Sequence, residues 1–343
     1  MLKKIKAWEW VLPLMLLAAC QGSTTVKMPN PVPSFITADE SGKTLTIVHS
    51  DGVHQTIALP MAPHNVQVST DGKWVLVTGM EVKDHQQDSQ VMRGMLVIIK
   101  ADPLNKKTLR AISLGEHLAH VVTDVSGKTA YVTDSASNRV AVVDIISGKV
   151  KDWISVGIFP HGIRLNPVRG EFYTANLKDG TISIVNIVSN KEEKRIPVGG
   201  MPTQVAVSPD GRKIYVTLAA DNVVGVVDVA QRRKIKTIPV GGTPAQIYVD
   251  PLGRYAYVAN QGDKNHPGNT VSIVDISSDK VIKTIRTGRM PHGIVASADG
   301  RFIYITNMGD NTVSQIDTGS FTILNNFGVG KSPNGITLIE GNH

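Results

Sequence analysis

A repeat decides the fold of this chain, and it is clearest in its fourth copy. Residues 201–217 read MPTQVAVSPDGRKIYVT, residues 222–228 read NVVGVVD, and residues 235–241 read IKTIPVG. The next copy begins at residue 243 with TPAQIYVDPLG. Sequence similarity at a fixed period is typical of repeat architectures. A proline, or an alanine in its place, marks seven copies with a base spacing of 42 residues: Pro63, Ala119, Pro160, Pro202, Pro244, Pro291 and Pro333.

Each copy contains four short runs rich in Val, Ile, Tyr and Thr, which are residues favoured in β-strands. In the fourth copy these runs lie at about 204–208, 213–218, 223–228 and 234–239. Asp210-Gly211 supplies a tight hairpin between the first two runs. Four strands in roughly 40 residues are the signature of a propeller blade. We therefore predict an all-β, seven-bladed β-propeller with four strands per blade.

The two ends of the chain predict how the propeller closes. After Pro333 one strand remains, Gly335 to Ile339, whereas three candidate strands precede Pro63, at about 33–37, 44–48 and 53–59. Three N-terminal strands and one C-terminal strand complete the seventh blade. Such closure leaves no free sheet edge. Residues 34–343 are thus predicted to form a single propeller domain.

The N-terminal segment has the features of an export signal. Three lysines at positions 3, 4 and 6 precede a short apolar run, Val11 to Ala19, which is too short to span a bilayer. The LAAC at residues 17–20 resembles the bacterial lipoprotein box, which implies cleavage before Cys20 and a lipid on its thiol. We predict a lipoprotein signal peptide at 1–19 and a lipidated cysteine with its tether at 20–33. The alternative is a plain signal peptide with an incidental cysteine.

This N-terminal resemblance also predicts where the protein resides. Acyl chains on Cys20 would hold it on a membrane surface without a spanning helix. The sequence around the cysteine also resembles enterobacterial lipoproteins. In their sorting, Gln rather than Asp after the cysteine, as at Gln21 here, implies the outer membrane. The expected location is the cell envelope, with the propeller facing the periplasm. A periplasmic protein is a further candidate partner.

Composition and charge exclude several classes of site. With one cysteine in 343 residues, an intramolecular disulfide and a multi-cysteine zinc cluster are both excluded. Loss of residues 1–19 removes three Lys and one Glu, which lowers the formal net charge from +7 to +5. The basic residues are scattered, and the run from Arg232 to Lys236 has no interleaved aromatic residues. Nucleic acid is therefore not expected as a partner.

The second strands of several copies share a further pattern. They read YVTD at 131–134, YVTL at 215–218, YVAN at 257–260 and YITN at 304–307. With these motifs, the chain resembles the bacterial repeat propellers named for a Tyr-Val-Thr-Asn signature, over nearly all of residues 34–340. The resemblance implies the propeller fold. It implies little about activity, because one fold hosts many chemistries.

The residue after the repeated proline is expected at the mouth of the central channel, since the proline lies just before the inner strand. Across the seven blades this residue is His64, His120, His161, Thr203, Ala245, His292 and Asn334. Imidazole is the commonest metal-binding side chain. The four ring histidines and Asn334 are therefore candidates for binding a cofactor.

The loop that carries His120 offers two more candidates. His117 precedes it by three residues, and Glu116 could orient an imidazole. The predicted metal-ligating set is thus His64, His120, His161, His292, His117 and Glu116. His85 and His266 lie in insertions, about 80–94 and 261–268, that we place on the same face.

The choice of metal lies between copper and zinc. Six methionines map near the same face, and soft thioethers would favour copper. These are Met61, Met80, Met92, Met201, Met290 and Met308. The competing interpretation is structural. Each histidine would then only hydrogen-bond a neighbouring loop, and the methionines would fill the core.

Two further resemblances concern the cofactor. The propellers of nitrous oxide reductases gather histidines at the channel to hold copper. Those of dissimilatory nitrite reductases and their maturation proteins place histidines over a haem-like tetrapyrrole, one of them in a Thr-Pro-His step similar to Phe159-Pro160-His161 here. This chain carries no c-type haem motif, so it is not such a reductase by itself.

Enzymatic activity is not indicated, although the sequence does not decide it. The chain has no G-x-S-x-G nucleophile elbow. Acids such as Asp134, Asp179, Asp221 and Asp310 occur beside Asn, Gly or Ser and are typical of turns. The catalytic residues, if any, stay unknown. We expect a membrane-anchored propeller that binds copper, zinc or a metallo-cofactor. An oxidoreductase or maturation enzyme acting on a haem-like tetrapyrrole, and a protein-interaction scaffold without ligand, are the alternatives.

Overall fold

The computed structural model describes residues 33–83, 91–102 and 106–339. The predicted signal peptide, Cys20 and all of the predicted tether except Pro33 lie outside the described residues, as does His85. Within the described ranges the chain forms 28 strands and one short 3₁₀ turn, Lys106–Thr108. No helix in these ranges is long and apolar enough to cross a bilayer.

The strands follow one another in chain order from the N-terminus. The first eleven are β1 (Ser34–Asp39), β2 (Thr44–Val48), β3 (His54–Ala58), β4 (Ala62–Val68), β5 (Trp74–Lys83), β6 (Val91–Lys100), β7 (Arg110–Ser113), β8 (Leu118–Thr123), β9 (Thr129–Asp134), β10 (Arg139–Asp144) and β11 (Val150–Ser155). The next eight are β12 (Pro160–Asn166), β13 (Glu171–Asn176), β14 (Thr181–Asn186), β15 (Lys191–Pro197), β16 (Pro202–Val207), β17 (Lys213–Leu218), β18 (Val223–Asp228) and β19 (Arg233–Pro239). The last nine are β20 (Pro244–Val249), β21 (Tyr255–Gly262), β22 (Pro267–Asp275), β23 (Lys280–Arg286), β24 (Pro291–Ala296), β25 (Phe302–Asn307), β26 (Thr312–Asp317), β27 (Thr322–Gly328) and β28 (Pro333–Ile339).

These strands form seven four-stranded antiparallel sheets, which are the blades of a propeller. Blade 1 is β4 to β7, and each later blade takes the next four strands, up to β24 to β27 in blade 6. Each inner strand contacts the inner strands of both neighbouring blades, so the seven sheets close into a ring around a central channel. The predicted seven-bladed propeller is confirmed.

Blade 7 joins the two ends of the described chain. Its strand order is β28-β1-β2-β3, with Phe35 opposite Leu338 and Thr37 opposite Ile336. The predicted closure by three N-terminal strands and one C-terminal strand is therefore confirmed. Because β28 pairs with β1, the edge of β1 that would otherwise be free is hydrogen-bonded within the blade.

The core lies between adjacent blades. Tyr173 and Ile184 of blade 3, for example, pack with Val205 and Val216 of blade 4 in one buried cluster. The tyrosine of the repeat signature is fully buried in four successive blades, as Tyr173, Tyr215, Tyr257 and Tyr304. In blade 4, its hydroxyl donates a 2.8 Å hydrogen bond to Asp279 of blade 5. The repeated apolar residues thus fix how each blade stacks on the next.

The described parts of both predicted insertions extend a hairpin. β5 and β6 continue their ladder beyond Met80 and Gly94, with Lys83 opposite Val91. β21 and β22 extend to the pair Gly262 and Pro267. In blades 1 and 5, these described residues lengthen existing strands and add no new strand.

Candidate functional site

Four histidines occupy one structural position on the inner strands. They lie on β4, β8, β12 and β24, hence in three adjacent blades and in blade 6: His64, His120, His161 and His292. At this position the pairing between first and second strand shifts register, as between Pro160 and Ile163 in blade 3. A β-bulge of this kind redirects the side chain of the unpaired residue. The bulge explains why this residue leaves the ladder and faces the channel.

The loop before the inner strand is conformationally constrained in five of the seven blades. In blades 3 to 7 the residue before the repeated proline has a φ between 43° and 59°, a region that residues other than glycine seldom occupy. These residues are Phe159, Met201, Thr243, Met290 and Ser332. This left-handed residue turns the chain sharply into the inner strand. Such a backbone conformation persists only where the surrounding fold holds it, so the start of the inner strand is fixed there.

Three of the histidines converge. The Nε2 atoms of His64 and His161 are 3.2 Å apart. The ring centroid of His120 lies 4.9 Å from that of His161 and 5.5 Å from that of His64. One ligand nitrogen from each of the three lies within 4.8 Å of the other two. The ring of His292 is farther away, 6.4 Å from His64.

Two of the rings are oriented by the backbone of the next blade. His161 Nδ1–H donates to the carbonyl oxygen of Thr203 at 3.0 Å, and His292 Nδ1–H donates to that of Asn334 at 3.1 Å. A glycine follows each histidine, and a Cβ there would lie 2.7 Å or less from the accepting carbonyl oxygen. The His-Gly step is therefore what allows the next blade to approach. With its proton on Nδ1, each ring presents a lone pair on Nε2.

The other two rings contact side-chain amides. Asn334 Nδ2 lies 3.2 Å from His64 Nδ1 and donates a 2.8 Å hydrogen bond to Glu40. Gln204 Nε2 lies 3.3 Å from His120 Nδ1. His120 is only 3% exposed, and its Nε2 has no hydrogen-bond partner among the described residues. A buried polar atom without a partner is costly.

All four imidazoles are neutral near pH 7. Burial lowers the pKa of His161 and of His292 to about 4. Burial lowers the pKa of His64 and His120 well below 6.5 too, and repulsion between the clustered rings adds to the shift. Neutral imidazole is the form that binds metal ions.

The two remaining candidate ligands lie differently. The ring of His117 is half-buried and packs 5.3 Å from that of Phe159. Glu116 is exposed, and its side chain makes no hydrogen bond or ion pair with a described residue; its backbone N–H donates to Asp134. Neither residue belongs to the set of converging ligand atoms. His266 is also exposed, beside Asp263.

The methionines contribute less than their number suggests. Met61 is buried in the hydrophobic core, and Met201 is 46% exposed. Met308 Sδ accepts a hydrogen bond from Gln261. Met80 and Met290 are half-buried, and the side chain of Met92 lies outside the described part of the chain. The donor set that the structure does gather consists of imidazole nitrogens, which removes the sequence argument for copper over zinc.

Sequence reasoning named Asn334 but missed two other residues that help to orient the rings. Glu40 reaches His64 through Asn334, and Gln204 contacts His120 from blade 4. Gln204 could have been found from the repeat. It directly follows the channel-mouth residue of blade 4, and Gln246 stands at the same place in blade 5. Glu40 gave no signal, since it lies in a turn between β1 and β2, far from the histidines in sequence.

Comparison with known proteins identifies the fold. No family model matches the chain, and no curated protein matches it. Hydrazine synthase from Kuenenia stuttgartiensis is similar in structure, with a TM-score of 0.68 at 19% identity over 83% of this chain and 91% of that one. The resemblance to the Tyr-Val-Thr-Asn repeat propellers therefore rests on the quoted motifs.

Two other solved structures match at lower identity. A functionally unknown protein from Desulfotomaculum acetoxidans DSM 771 has a TM-score of 0.73 at 14% identity, covering 91% of this chain and all of its own. Dihydro-heme d1 dehydrogenase NirN in complex with DHE has a TM-score of 0.64 at 14% identity, covering 91% of this chain and 76% of that one. At such identities the likeness establishes the propeller fold alone.

Proposed function

We propose that this protein binds a transition-metal ion, copper or zinc, through His64, His120 and His161 at the channel mouth. The observation that carries the proposal is the convergence of three imidazoles with ligand nitrogens within 4.8 Å of one another. The rings are neutral, and one of them has a buried nitrogen without a partner. Three histidines with an open fourth position are a common zinc-binding arrangement.

The spacing of the nitrogens supports this assignment. Imidazole nitrogens lie about 2.0–2.1 Å from zinc, so two of them in a tetrahedral site are roughly 3.3–3.4 Å apart. His64 Nε2 and His161 Nε2 are 3.2 Å apart. Since His161 carries its proton on Nδ1, the proton between these two nitrogens belongs to His64. A metal ion can bind this nitrogen only when the proton moves to His64 Nδ1. Its affinity decreases at low pH, where protonation of the imidazoles competes with the metal.

An all-nitrogen site does not by itself select one metal. Copper(II) generally binds a given nitrogen site more tightly than zinc does. We therefore expect both ions to bind and copper to bind more tightly. The ring of His292 is farther from His64 than those of His120 and His161. The fourth position is thus left to water or to a ligand from outside.

A haem-like tetrapyrrole is the alternative ligand. One structurally similar protein supports this alternative, because NirN was solved in complex with DHE. The cavity beside His120, His161 and His292 measures about 150 Å³, however. Pockets that enclose cofactor-sized ligands measure roughly 300–1,000 Å³. The available space suits an ion and its water ligands better than a macrocycle.

Calorimetric melting of the full-length, metal-stripped protein during titration with copper and with zinc tests the proposal. An ion that binds only the folded protein raises the melting temperature by mass action. We expect a rise with both ions, and we expect His120→Ala to weaken binding by at least about 100-fold, because even partners of metal ligands contribute 10–100-fold. His266→Ala is the matched control, since that exposed ring lies outside the cluster.

Two results would contradict the proposal. One is a melting temperature that neither ion changes at concentrations well above micromolar. The other is equal metal affinity of the His120→Ala and His266→Ala variants. An absorption band of the protein as purified, in the range of a conjugated macrocycle, would favour the tetrapyrrole. Loss of stability in His120→Ala with no effect of any ligand would favour the scaffold interpretation.

The proposed location is the cell envelope, through lipid on Cys20. Its support is the sequence LAAC at residues 17–20 and the absence of any other cysteine from the chain. The Cys20→Ser variant is expected to leave the membrane fraction, because acyl chains would be its main apolar anchor. Ser23→Ala is the control and is expected to stay with the membranes. Cys20→Ser protein that still sediments with membranes would contradict the lipid anchor.

A further inference from the structure

The channel continues beyond the histidines into a second, smaller cavity. It measures about 70 Å³ and shares His120, Gln204 and Gln246 with the cavity at the channel mouth. Arg164 and Tyr248 also line it, and both extend into a third cavity of about 180 Å³ farther along. The middle cavity thus lies between the histidines and the other end of the channel.

Arg164 introduces a positive charge into this cavity. It lies on inner strand β12, is half-buried, and forms no ion pair with a described residue. Its guanidinium carbon is 5.5 Å from the ring centre of Tyr248. The other titratable residues that line the middle cavity are His120 and Tyr248. No Asp or Glu is among the described residues that line the middle cavity or the third cavity. A charge removed from water without a counter-charge is destabilising.

Gln246 supplies a second donor without a partner. The residue is 8% exposed, and its Nε2 makes no hydrogen bond within the described structure. The equivalent residue of blade 4, Gln204, is different: its Nε2 contacts His120 and its Oε1 accepts the N–H of Val205. The free amide is therefore specific to blade 5 and is not a general property of the repeat.

We infer that the middle of the channel binds a small planar oxyanion of the carboxylate, bicarbonate or nitrate class, held by Arg164 and Gln246. A guanidinium presents paired N–H groups that match two oxygens of such an anion. The Gln246 amide adds a donor from a blade two positions away. A cavity of about 70 Å³ has room for a few heavy atoms but not for a nucleotide or a sugar phosphate. The site uses no imidazole nitrogen, so it does not depend on the proposed metal.

Acetate is a suitable probe for this site. The full-length, metal-stripped protein is titrated with sodium acetate at constant ionic strength, with sodium gluconate as the background salt because gluconate is too large for the cavity. We expect acetate to raise the melting temperature and to give a saturable binding isotherm by calorimetry. Arg164→Met is expected to abolish both effects, and Gln246→Leu to weaken binding by about tenfold.

The Arg164→Met variant also separates an anion site from a structural arginine. In gluconate alone it should melt at or above the wild-type temperature, because it removes a half-buried charge that has no counter-charge. A structural arginine would lower the melting temperature instead. Arg212→Met is the matched control, since the side chain of Arg212 is 85% exposed, and it should keep full acetate binding.

Three results would overturn the inference. They are the absence of an acetate effect on the wild-type protein, an acetate effect that persists in Arg164→Met, and equal loss of binding in Arg212→Met. If Arg164→Met fails to fold, Arg164→Lys replaces it. Lysine keeps the charge without the paired donors, so acetate binding should weaken by at least about tenfold. Unchanged affinity in Arg164→Lys would also refute the assignment.

Discussion

Blades 3 and 4 carry different residues at the same position of the channel mouth, His161 and Thr203, and both residues hydrogen-bond the next blade. His161 Nδ1–H donates to the carbonyl oxygen of Thr203 at 3.0 Å. Thr203 Oγ1–H in turn donates to the carbonyl oxygen of Ala245 at 2.8 Å. Blade 6 repeats the first pattern, from His292 to Asn334. Linking adjacent inner strands is therefore a structural role of this position, whichever side chain performs it.

The two blades differ in which side-chain atoms stay available for a ligand after this hydrogen bond has formed. The Thr203 hydroxyl has one proton, which this bond uses, and its oxygen also lies 2.7 Å from Thr217 Oγ1. An imidazole has a second nitrogen, which in His161 faces His64. The structural and the ligand-binding interpretations of the histidines are thus compatible. A ring fixed through Nδ1 and free at Nε2 is also how metal-ligating histidines are oriented.

The most stringent test of this comparison replaces the histidine of blade 3 by the threonine of blade 4. His161→Thr can keep the bond to the next blade but loses the free nitrogen. We expect affinity for copper and zinc to fall by at least about 100-fold, with little change in the melting temperature of the metal-free protein. Metal titration followed by calorimetry measures both quantities. Wild-type metal affinity in this variant would show that His161 is structural only.

Histidine and threonine at this position should contribute differently to the pH dependence of stability. The histidine pKa values lie below the ordinary value of 6.5 in the folded protein, at about 4 for His161 and His292, so the unfolded chain takes up protons first. Their contribution to stability is complete above pH 6.5 and is lost as the pH falls towards 4. The free energy of unfolding should decrease by up to about 1.4 kcal/mol per pH unit for each such histidine.

Urea denaturation of the metal-free protein between pH 8 and pH 4 measures this slope. His161→Thr should have a smaller slope than the wild type, by the amount that one histidine contributes. Thr203→Ala should have the wild-type slope, because threonine does not titrate. Equal slopes for wild type and His161→Thr would contradict the lowered pKa of His161.

The smallest expected effect is that of removing the hydroxyl in blade 4. Thr203→Ala loses the bond to Ala245 and the contact with Thr217. We expect the free energy of unfolding to decrease by about 1 kcal/mol, with metal affinity unchanged. Urea denaturation and metal titration of the same variant check the two parts. A loss of metal affinity as large as that of His161→Thr would mean that the position matters only through backbone geometry.

Repetition explains why so much of the fold could be predicted from the sequence. Each blade has the same strands and turns, so Asp210-Gly211 and the buried Tyr215 report a local structure that recurs six more times with variations. Pairing of neighbouring strands follows from short hairpins, and the leftover strands at the two ends leave one way to complete blade 7. The position that faces the channel follows from the same register.

The arrangement within the channel depended on the tertiary structure. The sequence placed His64, His120, His161 and His292 at equivalent positions, but not the 3.2 Å between two ring nitrogens or the greater distance of His292. It named Glu116 as the acid near the rings, whereas Glu40 reaches His64 through Asn334. Side chains that meet across the channel come from different blades, so no local pattern specifies their contacts.

Repeat period, strand number and the identity of the channel-facing residues were determined by the sequence alone, because they depend on hydrogen bonds and apolar contacts between residues close in the chain. Closure joins strands from the two ends of the chain, and it followed from the strands that the repeat leaves over there. The contacts of the rings, and the juxtaposition of Arg164 with Gln246, were decided only by the closed ring. These contacts join residues tens to hundreds of positions apart. Their geometry depends on how seven blades pack around one axis, which no single repeat contains.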